Sequence, residues 1–161
     1  MNIVFLLYSF IQKSYAHYPN QAPNTSSVSL AISLGPVMNQ SELENGYSFS
    51  GGFYTDIPLL ETFHITPSTT IYRFNEFSQT NVSLSFKFLV PMQRFDLMTG
   101  LTAGLTSSKT IFPHVGFFGG ITFPLISNLS WFVSANYLYQ FDASTMHNIS
   151  VNTGPLFRFY R

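Results

Sequence analysis

The chain has 161 residues, enough for one domain, and only 9% of them are Asp, Glu, Lys or Arg, against about 25% in an ordinary soluble domain. A formal net charge of zero excludes a nucleic-acid binder that works through a basic face, and 45% apolar content with 17% aromatics excludes disorder. The absence of cysteine excludes a disulfide scaffold, a thiolate metal site and a cysteine nucleophile.

The first apolar block runs from Ile3 to Ile11. At about 1.5 Å per residue it is too short to cross a roughly 30 Å hydrocarbon core as a helix. Ser14-Tyr15-Ala16 follows, a small-x-small pattern that suits signal peptidase, although no Lys or Arg precedes the block. Residues 1–16 are therefore expected to be a signal peptide and residues 17–161 the mature domain. No later stretch approaches 18 consecutive apolar residues, so a transmembrane helix is not expected.

From residue 26 the text has period two. Val28, Leu30, Ile32 and Leu34 alternate with Ser29, Ala31 and Ser33. Tyr47, Phe49, Phe53 and Ile57 alternate with Ser48, Ser50, Gly52 and Tyr54. The segment 63–75 is less clean, and its phase is expected to slip near Thr69-Thr70. Val82 to Phe88 repeats the alternation with Lys87 on the polar side, and Phe95 to Thr106 carries Asp96 there. Segments at 113–124, 129–141 and 148–160 complete the set, the last with Arg158 on its polar side. Successive side chains of a strand point to opposite faces, so eight strands are predicted, at 27–37, 46–56, 63–75, 81–90, 95–106, 113–124, 129–141 and 148–160. Each is near the 9–11 residues that a tilted strand needs to cross a bilayer.

The composition of the two faces says which one meets water. A soluble barrel turns its apolar face inward and covers the outside with charge. Here the polar face is mostly Ser, Gly, Thr and Asn, which suits a narrow interior. The other face is rich in aromatics such as Phe86, Phe88, Trp131, Tyr137 and Tyr139, which suits lipid contact and interfacial girdles. Short links at 91–94 and 126–128 alternate with more polar ones at 38–45, 75–80, 107–112 and 142–147, and link 57–62 is intermediate. Short turns on one side and longer loops on the other are the outer-membrane arrangement. The expected fold is a single closed eight-stranded antiparallel transmembrane β-barrel, an up-and-down meander with no helix.

The last strand contains Asn152, Gly154, Phe157 and Phe159, a polar residue, a glycine two on, and aromatics three and five beyond it. This resembles the assembly signal that closes bacterial outer-membrane barrels, and with the eight segments the mature chain resembles the small OmpX/OmpA-type family. Two features depart from it: Tyr160-Arg161 extends past the terminal aromatic, and Pro155 sits inside a strand that should pair on both sides. Gly35-Pro36 in the first strand is the expected matching irregularity. An even strand count places both termini in the periplasm, and the resemblance implies a Gram-negative outer-membrane protein inserted by the barrel-assembly machinery with periplasmic chaperones. Its partners would be the lipid bilayer and lipopolysaccharide, with no nucleic acid, and the chain would be a monomer without cofactor or metal.

Two groups of residues carry possible chemistry. Lys87, Asp96 and Arg158, joined by Arg73, form an expected lumen charge cluster, and a charge in a narrow barrel needs a partner, so Asp96 is expected to pair with Lys87 or Arg158. Such pairs plug the lumen or, if they exchange, gate a small channel. His114, Asp142 and His147 fall near one rim, with Ser107, Ser108 and Ser144 close in sequence. That set invites a Ser/His/acid reading, as in lipid A-modifying enzymes, or chelation by the two histidines, but the deacylase pattern of His, one residue, Ser is absent. The expectation is a structural or surface-interaction protein without catalysis. A gated channel, a lipid A-modifying enzyme and a soluble ligand-binding barrel are the alternatives.

Overall fold

A computed structural model describes residues 27–40, 45–73, 78–92, 94–141 and 146–159; the expected signal peptide, Asp142, Ser144 and Tyr160-Arg161 lie outside them. Eight strands follow one another: β1 (Val28–Gln40), β2 (Asn45–Pro58), β3 (Phe63–Arg73), β4 (Ser78–Pro91), β5 (Asp96–Ser107), β6 (Ile111–Ile126), β7 (Leu129–Gln140) and β8 (Met146–Phe159). Each pairs antiparallel with the next, and β8 pairs with β1, so the sheet closes into an up-and-down barrel. Closure removes the edges, which leaves every strand with two backbone partners, as a bilayer requires. With 11 residues in β3 and 16 in β6, the shortest and longest of the eight, every strand is long enough to cross.

Burial shows which face is which. On β1 the inward Ser29, Ala31, Ser33, Val37 and Asn39 are buried, while Val28, Leu30, Ile32 and Leu34 between them are exposed. The same holds on β4, where Leu84, Phe86 and Phe88 face out and Ser85 and Lys87 face in. An outside of Leu, Ile, Val and Phe over an inside of Ser, Thr, Asn and Gly is stable only where the outside meets hydrocarbon. The chain is a transmembrane barrel.

Aromatic residues gather at both ends of the wall. Near the end that holds the chain termini, Phe63 stacks on Phe86 at 6.0 Å and meets Phe88 edge-on at 5.5 Å, and Phe95 lies 6.2 Å from Phe123. At the opposite end Phe117 stacks on Tyr137 at 5.2 Å, and Tyr139 meets Phe141 at 4.9 Å. Tyr137 and Tyr139 at the far end, apolar in body and polar at the tip, suit a membrane–water boundary, whereas the rings named at the terminal end are all Phe.

Three expectations need correction. The strands run further than their apolar patterns: β1 reaches Gln40, β4 begins at Ser78 and β6 at Ile111. Only 41–44, 74–77, 108–110 and 141–145 remain between strands at the far end, against 59–62, 92–95 and 127–128 at the terminal end, so the expected contrast of long loops and short turns is largely absent. The reason is that Asn39 and Gln79 point into the barrel and are buried there; polar inward residues made strand ends read as loop. The phase slip in β3 is also absent, since its register with β4 runs unbroken from Phe63–Phe88 to Arg73–Ser78. Pro67 and Thr69 simply take outward places there, which hid the alternation.

The β1–β8 seam is where the sequence irregularity lies. Its register is constant, but Ile32, Ser33, Gly35 and Pro36 lack ladder partners on β8. These are the positions opposite Pro155 and Gly154 and opposite Val151 and Asn152. Proline removes a ladder donor, and glycine lets the two backbones approach. A Cβ on Gly154 would collide with the carbonyl oxygen of Ile32, and one on Gly35 with that of Val151.

Candidate functional site

Among the described residues, the interior gathers most of the buried polar and ionisable groups. Alternation from Ser29, whose register partner on β2 is Asp56, turns both side chains inward. Lys87 on β4 donates to Asp56 Oδ2, Thr66 Oγ1 donates to Asp56 Oδ1 at 2.6 Å, and Ser29 Oγ reaches Oδ2 at 3.4 Å. The Lys87 ammonium also stands 5.2 Å from the Tyr54 ring centre, a favourable cation–π distance. Lys87 is 2% exposed. A charge so placed is tolerable only because the carboxylate meets it and the hydroxyls complete the carboxylate's shell.

A second pair sits nearer the terminal end. Arg158 Nη2 donates to Asp96 Oδ2 at 3.3 Å, and each side chain is 25% exposed. Between the pairs, on β3, His64 lies in register with Lys87; it is 6% exposed, and neither ring nitrogen has a hydrogen-bond partner among the described residues.

Two apolar layers cross the interior. Ala31, Met98, Phe132 and Leu156 pack together with Tyr54 and Leu89, and Val37, Tyr72 and Leu138 form a second group further from the termini. A cavity of about 90 Å³ is lined by Thr66, Ser68, Thr70, Ser85, Ser134 and Asn136 among others. Beyond it His114 is 1% exposed, with Nε2 2.9 Å from Ser83 Oγ and Nδ1 2.9 Å from Thr106 Oγ1. Gln140 Nε2 donates to Gln79 Oε1 at 3.5 Å above it.

The structure sorts the predicted residues as follows. Lys87, Asp96 and Arg158 all face inward, and Asp96 pairs with Arg158 as one of the two options required. Lys87 pairs instead with Asp56, which the sequence reading passed over because it stands just before an expected link. Arg73 does not join the cluster: Tyr72 is the inward residue, so Arg73 falls on the outer face opposite Phe49. His114 and His147 are not brought together. His147 is on the outer face, its Nδ1 2.6 Å from the Tyr137 hydroxyl and its ring against Tyr139, while His114 points inward. Chelation by the pair is therefore excluded by the wall between them, and no three His, Asp or Glu side chains converge among the described residues. Of the assembly-signal positions, Asn152 and Gly154 are inward and Phe157 and Phe159 outward; Ser50 Oγ donates to Asn152 Oδ1 at 2.8 Å. His64 was also missed, since it opens a segment without clear alternation.

These features define a small eight-stranded transmembrane barrel with a filled, charge-paired interior. Solved structures agree on the fold. Neisserial surface protein A superposes with a TM-score of 0.75 at 12% identity, over 82% of this chain and 97% of that one. The N-terminal barrel domain of Pseudomonas aeruginosa OprF matches at 0.50 and 12%, over 80% and 97%, and the outer membrane enzyme PagL at 0.50 and 10%, over 76% and 97%. No protein-family model and no curated protein matches the sequence.

Proposed function

We propose that the chain is an integral outer-membrane protein with a structural or surface-interaction role, neither an open pore nor an enzyme, with both termini on the periplasmic side. The observation that carries this reading is the filled interior. Lys87–Asp56 and Arg158–Asp96 balance each other's charge, and the two apolar layers narrow the interior to a cavity of about 90 Å³. An eight-stranded barrel has room for side chains and little else, so ion passage would require a buried pair to part. Against catalysis, the hydrogen-bond partners of His114 and His147 among the described residues are the hydroxyls of Ser83, Thr106 and Tyr137, with no carboxylate to orient either ring as a general base. Termini on the periplasmic side follow the habit of even-stranded outer-membrane barrels.

The test combines three measurements on full-length protein: membrane fractionation, gel mobility with and without heating, and planar-bilayer recording. Outer-membrane recovery, a heat-dependent mobility shift and no discrete openings for wild type or Asp96→Ala are expected. Discrete openings in either would replace this reading with a gated channel.

A further inference from the structure

Apolar side chains (Ala31, Val37, Phe132, Leu138 and Leu156) punctuate the inward positions of β1, β7 and β8 among buried polar ones such as Ser33, Ser134 and Asn152. On β3 and β4 three consecutive inward pairs are in register: His64 with Lys87, Thr66 with Ser85, and Ser68 with Ser83. No apolar side chain interrupts them. At the lower end Thr66 is bonded to Asp56 at 2.6 Å. At the upper end Ser83 lies 2.9 Å from His114, which meets Thr106 at 2.9 Å through its other nitrogen. The 90 Å³ cavity lies against the middle of this wall. Its lining mixes Ser and Thr hydroxyls with Tyr54, Met98, Phe118 and Phe132, and a cavity of that size with several polar partners has room for a few water molecules.

His64 is the second observation. It stands one inward position nearer the terminal end than Thr66 and Asp56, is 6% exposed, and has both ring nitrogens unpartnered among the described residues. Lys87 on β4, with Asp56 and Tyr54 on β2, faces the same region, and the partly exposed Asp96–Arg158 pair lies beyond it toward the mouth. An imidazole with two open nitrogens accepts a proton on one and releases it from the other.

We propose that the β3–β4 inner wall is a proton path, so that the closed barrel passes protons and excludes larger ions. Each step is a hop. A hydroxyl, water or imidazole lone pair accepts a proton while the same group's own proton passes to the next acceptor. One O–H or N–H bond forms as another breaks, nothing is oxidised or reduced, and the hydroxyls rotate back between transfers. A hydrated potassium or chloride ion has no such option, because the apolar layers and the Lys87–Asp56 pair would have to move aside.

The experiment reconstitutes full-length protein in liposomes containing a pH-sensitive dye, with potassium and valinomycin to hold the membrane potential at zero. After an external pH step, wild type is expected to equilibrate faster than protein-free liposomes while entrapped chloride is retained. Ser68→Val with Ser85→Val, and separately His64→Phe, should lose most of the protein-dependent rate, and Ser130→Ala, buried on β7 outside the cavity lining, should keep it. The heat-dependent gel shift checks the fold of each variant, and Ser68→Ala with Ser85→Ala serves if the valine pair does not fold. A wild-type rate equal to protein-free liposomes overturns the path, as does an undiminished rate in the folded double variant. Chloride release overturns the selectivity and, unlike those two results, removes the closed-barrel reading as well.

Discussion

Removing the Lys87 ammonium isolates a buried carboxylate. Asp56 is as buried as its partner, and in Lys87→Met it keeps only the hydroxyls of Thr66 at 2.6 Å and Ser29 at 3.4 Å. Both of those contacts already exist in the wild type, so they offset none of the loss. Deleting one member of a buried ion pair costs about 3–5 kcal/mol, because the other charge stays behind without compensation. The favourable approach of the ammonium to the Tyr54 ring goes as well, adding about 0.5–2 kcal/mol. Replacing both partners is a different matter. In Asp56→Asn with Lys87→Met, the amide oxygen still accepts from a neighbouring hydroxyl and no charge remains, so most of the stability should return. The assay is urea unfolding in lipid vesicles, read by fluorescence of Trp131, the single tryptophan of the chain, which stands on the outer face of β7. A loss below about 1 kcal/mol for Lys87→Met, or a double variant less stable than the single one, would refute a buried, paired charge.

Two further substitutions probe the wall and the seam. Leu101 lies midway along β5 and faces outward, so Leu101→Arg should destabilise by about 2–4 kcal/mol in vesicles, the cost of arginine near the bilayer midplane; a neutral result would mean that this face meets water. Gly154→Ala places a methyl group against the Ile32 carbonyl on the neighbouring strand. It should lower stability by about 1–3 kcal/mol and reduce the fraction of protein that shows the heat-dependent gel shift, and an unchanged fraction would show that the seam has room to spare.

The fold was legible in the sequence because a membrane barrel enforces a two-residue alternation on every strand, and Val28 to Leu34 and Val82 to Phe88 obey it cleanly. What failed did so where alternation of polarity, as opposed to direction, broke down. In β3 the outward Pro67 and Thr69 are no more apolar than the inward Ser68 and Thr70, so the strand carried its direction in its backbone and not in its composition. That one ambiguity explains both the supposed phase slip and the placing of Arg73 in the lumen: a slip of one residue past Thr70 exchanges Arg73 for Tyr72. Asp56 and His64 were obscured for a related reason. They flank the turn 59–62, where a polar residue is expected whether it faces the lumen or the solvent, and only the pairing of Asp56 with Ser29 and of His64 with Lys87 shows that they face inward. The charge count carried a clue that was open to use. With Arg73 outward, Lys87 and Arg158 face a single inward carboxylate, Asp96, and an interior closed to water needs a second. Asp56 is the one remaining aspartate among the described residues. The electrostatics of a sealed barrel therefore point to the residue that the alternation pattern alone does not find.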